Sequence, residues 1–323
     1  MSTAEASANI ALIKYWGKRD ARLNLPETGS LSLTLEALRT RTQVTRIDAA
    51  SDRLVLDGVS VEGRALERVG CFVDLVRGLS GCNDRVEVAS SNSFPTAAGL
   101  ASSASAFAAL AVASLDAFGV ELAPPEISRL ARQGSGSAAR SVFGGFCRMN
   151  AGVYPDGRDA FGEPFVGAAL ELSAAVVVAK APKKATGSTE GMNLTQKTSP
   201  YHSAWVATVS RDLAAAEDAL RAGDWTMLAD VVEGNCLAMH ADAMAARPGI
   251  LYFKPSTLWA IDVVRALRRD GTPVFFTIDA GPHVVAFTPP AHLDAVAAQL
   301  SGHPEVECVL RSRSGEGAHI VDD

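Results

Sequence analysis

At 323 residues, 48% of them hydrophobic and 20% charged, the chain has the composition of a globular protein and the length of about two domains. A net charge of −6 argues against a general nucleic-acid or membrane-surface binder, which needs a basic face, but leaves room for an anionic ligand held by a few local cations. Five cysteines without CxxC spacing and six histidines without ligand spacing speak against a zinc site, and the odd cysteine count fits a reduced, cytosolic protein better than a disulfide framework. The start carries no basic segment followed by an apolar one, and no apolar run approaches the roughly 18 residues of a membrane span.

In chain order, ANIALIKYWGKRD couples an apolar run to a basic patch at Lys14, Lys18 and Arg19. Pro26 and Gly29 then mark a turn, and Leu31, Leu33 and Leu35 alternate with Ser32 and Thr34 as in a half-buried strand. Further strands are expected over 41–47, 53–56 and 86–89. Val69, Phe72, Val73 and Val76 have the spacing of a helix over 67–79. NSFPTAAGLASSASAFAAL follows, where a Gly- and Ser-rich turn enters a helix of small residues. Unpaired N–H groups and the positive end of the helix dipole suit an anion at Gly99, Ala101, Ser102 and Ser103, with the two hydroxyls as donors or magnesium contacts. Close packing of Ala and Ser on a sheet accounts for the same residues. No lysine follows the turn, so it is not the P-loop pattern, and it is not GxGxxG.

Pro124 starts the next helix, which leads into GSGSAARSVFGG around a single large cation, Arg140. The guanidinium fork suits a carboxylate or phosphate, although a solvated surface arginine fits the same string. A buried strand over 174–179 marks the domain change, and KAPKKATGSTEGMNLT after it reads as a polar, basic loop near anions. Helices are predicted over 203–220, 225–244 and 255–271, with Trp205, Trp225 and Trp259 as core anchors. A strand over 274–278 ends at Asp279, beside a turn at Gly281 and Pro282, where aspartate either serves a site or caps the turn. Strand 284–287, helix 291–300 and strand 306–310 complete a ferredoxin-like order, and the polar tail from Ser312 is expected to be loose.

Taken together, ANIALIKYWGKRD, LNLP with SLSLTL, FPTAAGLASSASAFAAL, GSGSAARSVFGG and IDAGP resemble the diphosphomevalonate decarboxylase family, within the galactose, homoserine, mevalonate and phosphomevalonate (GHMP) kinase superfamily. The resemblance runs from residue 8 to residue 282. It implies an α+β, two-domain GHMP-kinase-like fold. A ribosomal-S5-domain-2-like half, residues 1–175, carries ATP, and a ferredoxin-like half, residues 176–323, carries Asp279, with the active site in the cleft between them. It also implies a cytoplasmic homodimer that uses ATP and Mg2+ to phosphorylate the 3-hydroxyl of mevalonate 5-diphosphate and then eliminates phosphate and carbon dioxide to give isopentenyl diphosphate.

By the same resemblance Asp279 is the catalytic carboxylate, Arg140 holds the substrate carboxylate, and Lys18 with Tyr15 contacts the substrate near its diphosphate. Ser135, Ser137 and Ser188 donate to the diphosphate. Asn92, Ser93, Gly99, Ala101, Ser102, Ser103 and Lys183 receive ATP, with Ser102 and Ser103 as metal contacts. Thr28, Gly29, Ala139 and His283 depart from the family's usual residues, and a bond from His283 to its own turn is expected. A decarboxylase for the monophosphate, a 3-kinase that does not decarboxylate, and a non-catalytic binder of phosphate ligands are the competing readings.

Overall fold

The computed structural model describes residues 1–94, 102–180 and 186–322. Its first half contains β1 (Ser2–Ile13), β2 (Lys18–Asp20), β3 (Leu25–Pro26), β4 (Ser30–Ile47), β5 (Arg53–Leu56), β6 (Val59–Ser60), α1 (Arg64–Ser80), β7 (Arg85–Asn92), α2 (Ser102–Ala117), α3 (Pro124–Gly134), α4 (Ala138–Ser141), β8 (Phe146–Met149) and β9 (Gly162–Pro164). The second holds β10 (Ser173–Ala179), α5 (Ser188–Thr198), α6 (His202–Ala222), α7 (Trp225–Met244), α8 (Pro255–Arg269), β11 (Phe275–Ile278), β12 (Val284–Thr288), α9 (Leu293–Gln299), β13 (Val306–Ser312) and β14 (His319–Ile320). The architecture is mixed α+β with two sheets as the centres of two domains.

The first sheet runs β14-β1-β4-β7-β5-β6, with β8 and β9 attached to β4. On one face Ala4, Ala6, Val44 and Val88 pack against α1, α2 and α3. Helix α2 is built for that contact: Ala104, Ala108, Ala109, Ala111 and Ala113 are all fully buried, so its backbone lies close to β1 and β4. Close packing therefore accounts for the small residues of this helix from Ser102 onward.

The second sheet is wholly antiparallel, in the order β11-β12-β10-β13. Numbered within its own half this is 2-3-1-4, the ferredoxin-like arrangement that the sequence order predicts. One face packs on α8 and α9 through Val177, Phe276, Val284 and Val296. The opposite face, with Val176, Phe275, Val285 and Phe287, shares a single core with Ile10, Leu12, Leu31 and Leu33 of the first sheet and with α6 and α7. Each such side chain stabilises the fold by about 2 kcal/mol through burial.

Three sequence expectations change. Strand β4 is one 18-residue element, and its residues 30–35 are buried on both faces, because β1 and β8 flank it and both faces are covered. Its Leu positions enter the shared core, while Ser30 and Ser32 face a buried arginine. The stretch after residue 187, expected to be loop, forms α5. The tail is not loose: the Gly315 N–H donates to the Thr34 carbonyl of β4, the Glu36 N–H of β4 donates to the Arg313 carbonyl, and β14 adds to the edge of β1.

Candidate active site

Strands β1 and β11 belong to different sheets, yet each ends with a charged residue at the same place. Lys14 follows β1 and Asp279 follows β11, and Lys14 Nζ donates to Asp279 Oδ1 at 2.6 Å. The lysine side chain is 1% exposed, so an unpaired ammonium there would cost several kcal/mol; the carboxylate compensates it. Asp279 remains 32% exposed, so its carboxylate can still be reached from outside.

Helix α7 fixes both ends of this pair. Asn235 Oδ1 accepts from the Lys14 N–H at 2.8 Å, and its amide donates to Asp212 at 3.0 Å. Cys236 Sγ accepts the Ile278 N–H at 3.2 Å, and His240 Nε2 meets the Ile278 carbonyl at 3.1 Å. Cys236 and His240 are one helical turn apart and so share a face. Burial pushes the His240 ring down to about 4, so it is neutral, and facing a carbonyl its Nε2 must carry the proton.

Arg140 lies in the short α4 and is 2% exposed, which rules out the solvated-surface alternative. Its Nε donates to Asn9 Oδ1 and Ser32 Oγ, both at 3.0 Å, and Nη1 donates to Ser30 Oγ at 2.6 Å. All three partners are neutral, and among the described residues Nη2 has none. Burial lowers the Arg140 pKa, while Asp279 and Tyr15 lie close enough to act on it electrostatically. A buried guanidinium without a bonded carboxylate is a site for an anion.

The Tyr15 hydroxyl is buried and has no partner among the described residues. Burial raises its pKa well above the usual phenol value, so it stays an O–H donor. Its ring packs on Gly136, where an added Cβ would come 2.4 Å from the hydroxyl oxygen. A glycine between Ser135 and Ser137 is thus required by the tyrosine.

The β2–β3 hairpin carries Lys18, 7% exposed, whose Nζ donates to Asn24 Oδ1 at 2.7 Å and reaches Thr189 Oγ1 at 3.5 Å. Burial, and then the charge of Arg68, push the amine down to about 8. Arg68 itself donates to the Gly134 carbonyl at 2.6 Å. Neither cation is paired with a carboxylate among the described residues, so an anion between them would be attracted by both. Beside them Ser135 Oγ lies 3.2 Å from Ser103 Oγ and 3.3 Å from Ser137 Oγ, forming a row of hydroxyls. Ser188 opens α5, one residue before the Thr189 that Lys18 reaches.

On the other side of that row, Ser102 and Ser103 begin α2. Thr40 Oγ1 is 2.6 Å from both Asn92 Oδ1 and Ser105 Oγ, which ties the end of β7 to the first turn of α2. Asn92 and Ser93 line a groove of about 360 Å³ with Glu5, Glu36, Arg39 and Arg41. Gly99, Ala101 and Lys183 lie outside the described residues. Among the described residues no group of three His, Cys, Asp or Glu side chains is placed to hold a metal. Hydroxyls at 102 and 103 fit magnesium, which takes most of its ligands from phosphates and water, and do not fit zinc.

Two family descriptions match the chain: a diphosphomevalonate decarboxylase-like N-terminal domain over residues 6–161 and a mevalonate 5-diphosphate decarboxylase C-terminal domain over residues 174–314. The diphosphomevalonate decarboxylase of Aspergillus fumigatus is 37% identical over 307 residues, covering 88% of this chain and 76% of that one. This chain belongs to the diphosphomevalonate decarboxylase family. The phosphomevalonate decarboxylase of Haloferax volcanii is 36% identical over 297 residues, 91% of this chain and 90% of its own. A solved structure of MDDEF in complex with MVAPP, AMPPCP and magnesium has a TM-score of 0.93 and 38% identity, covering 100% of this chain and 99% of that one.

Within this diphosphomevalonate decarboxylase fold, Asp279 and Tyr15 lie close to Arg140, and Ser135 and Ser137 flank the glycine, Gly136, that packs on Tyr15. Sequence reasoning missed Lys14 as the partner of Asp279, and it missed Asn9, Ser30 and Ser32 around Arg140. The motif ANIALIKYWGKRD contained the first two, but nothing local distinguished Lys14 from Lys18. Of the departures, Ala139 is buried against Leu25 and Met149, and Gly29 lies where a Cβ would press on Leu213 at 2.9 Å. His283, just before β12, accepts at Nδ1 from the Ala179 N–H on β10 at 3.0 Å, a bond that reaches beyond its own turn.

Proposed function

We propose that this chain catalyses the ATP-dependent decarboxylation of mevalonate 5-diphosphate to isopentenyl diphosphate, ADP, phosphate and carbon dioxide. The observation that carries the reading is the Lys14–Asp279 pair, set at the meeting of two sheets beside a buried, carboxylate-free Arg140. Asp279 takes the proton of the 3-hydroxyl as that oxygen attacks the γ-phosphate of ATP, and Lys14 holds the carboxylate in line. Arg140 binds the substrate carboxylate through Nη2 and fixes its plane until the 3-phosphate leaves with the electrons of its bond to carbon 3, the carbon–carbon bond breaks to release carbon dioxide, and that electron pair forms the alkene. Lys18, Tyr15, Arg68, Ser135, Ser137 and Ser188 hold the diphosphate.

ATP lies along Asn92, Ser93, Ser102, Ser103, Gly99, Ala101 and Lys183. The hydroxyls of Ser102 and Ser103 would hold magnesium, which would supply charge neutralisation on the nucleotide phosphates. Residues 1–175 form the nucleotide-binding domain and residues 176–323 the domain of the catalytic aspartate. We further assign the enzyme to the cytoplasm, as a homodimer.

The likeness to the Haloferax volcanii relative raises the monophosphate as a second substrate. Lys18 and Arg68, two cations beside the hydroxyl row, favour the diphosphate. Comparing kcat/KM for mevalonate 5-diphosphate and mevalonate 5-phosphate tests this. One charge-assisted contact contributes about 2 kcal/mol, so the diphosphate should be favoured at least about tenfold. Preference for the monophosphate would overturn the substrate, and ADP release without carbon dioxide would make the protein a 3-kinase.

A further inference from the structure

His202 opens α6 with a side chain 8% exposed and a carboxylate at each ring nitrogen. Nδ1 lies 2.8 Å from Asp242 Oδ2 on α7, and Nε2 lies 3.0 Å from Glu27 Oε2 just after β3. Ionised carboxylates only accept, and a neutral imidazole has one N–H, so both contacts are hydrogen bonds only when the ring is an imidazolium. Hydrogen bonding to Asp242, opposed by desolvation and aided by Glu27, raises the ring's pKa and favours that form near neutrality. Asp242 is 1% exposed and its Oδ1 is buried without a partner among the described residues, so its bond is the costlier to lose. A neutral ring therefore keeps its proton at Nδ1 and turns a lone pair towards Glu27, which at 25% exposure is free to swing into water.

Glu27 is tied to Lys18 through the hairpin. Its N–H donates to the Gly17 carbonyl at 3.2 Å, closing the β2–β3 ladder on the residue before Lys18. Gly17 has φ +119°, and a Cβ there would come 2.6 Å from Glu27 Oε2 and 3.3 Å from the His202 ring, so the three groups are packed together. The charged groups facing the ring are Asp242 from α7 and Glu27 from the hairpin; Gln196 of α5 donates to the same Glu27 oxygen at 3.2 Å without a charge.

We propose that His202 is a positioning residue: as an imidazolium clamped between Asp242 and Glu27 it holds the β2–β3 hairpin, and with it Lys18, in the substrate-binding arrangement, and it releases the hairpin on losing its proton. The proposal rests on Lys18 as a ligand of the substrate phosphates.

Hydrogen exchange at the Glu27 amide, corrected for the intrinsic pH dependence, reads the hairpin without any substrate. Protection in the native protein should fall about tenfold between about pH 6.5 and about pH 9. Glu27→Gln should abolish that dependence, because the amide N–H can donate to a neutral Nε2. His202→Phe should show the low protection at both values and raise KM for mevalonate 5-diphosphate about tenfold at about pH 7, with kcat within about twofold. A merely structural histidine would instead lower Tm and leave KM unchanged. Protection that does not change with pH in the native protein, or that changes equally in Glu27→Gln, overturns the clamp. If His202→Phe does not fold, the native and Glu27→Gln exchange decide alone. Exchange as predicted with no turnover of substrate would retain the clamp and refute only the assigned reaction.

Discussion

Two lysines four residues apart, Lys14 and Lys18, have been given opposite environments. Lys14 is neutralised by Asp279, whereas Lys18 meets Asn24 and Thr189, with no carboxylate among the described residues, and is pushed down to about 8 by burial and by Arg68. The depressed value gives kcat/KM a definite pH dependence. Below about pH 7 the Lys18 amine is protonated and binds phosphate; as pH rises through about 8 the charge is lost and kcat/KM falls. Bound diphosphate stabilises the ammonium, so the corresponding limb of kcat should lie at higher pH. Steady-state profiles of kcat and kcat/KM check this, and Lys18→Met should remove the limb. In the sequence both lysines belong to one basic patch, and the family motif marked Lys18 alone. Nothing local separates them, because the partner of Lys14 is 265 residues away.

At the scale of elements, alternation and breakers located the longer helices and most strands of the second sheet, since side-chain period and capping are local properties, but they did not mark β1, whose residues read only as an apolar run, nor the short β2, β3, β6, β8, β9, β14 and α4. Gly223, in the left-handed region, ends α6 where the spacing expected. Alternation did not reveal that the polar side of β4 is buried, because Ser30 and Ser32 look solvent-facing until Arg140 is placed behind them. Helix α7 likewise reads as one more buried helix, although Asn235, Cys236 and His240 hold the backbone at or beside both members of the Lys14–Asp279 pair. His240→Phe leaves the Ile278 carbonyl without this donor and loosens Asp279. It should lower kcat about tenfold or more with KM for substrate little changed, as measured by steady-state kinetics, because binding groups lie on other elements. An equal rise in KM would mean that α7 acts on the whole cleft and not on Asp279.

Across the whole molecule the two sheets do not have separate cores on their facing sides. Ile10, Leu12 and Leu33 share one cluster with Val176, Phe275 and Phe287, and β14 returns the chain end to β1. Burial across that seam makes either half costly to expose alone. Calorimetry should give a single transition with calorimetric and van't Hoff enthalpies in agreement; two resolved transitions would contradict a shared core. The two-domain order and the ferredoxin-like half were legible from the succession of strands and helices. The shared core was not, since it depends on which faces of distant strands meet. That meeting also brings Lys14 to Asp279, and the direct test of the reaction proposed there is a single-turnover experiment with carboxyl-labelled mevalonate 5-diphosphate, ATP and magnesium, counting carbon dioxide and ADP together. The native protein should release the two in equal amounts, and Asp279→Asn should lose both about a thousandfold. Labelled carbon dioxide without ADP, or an undiminished Asp279→Asn enzyme, would contradict the account.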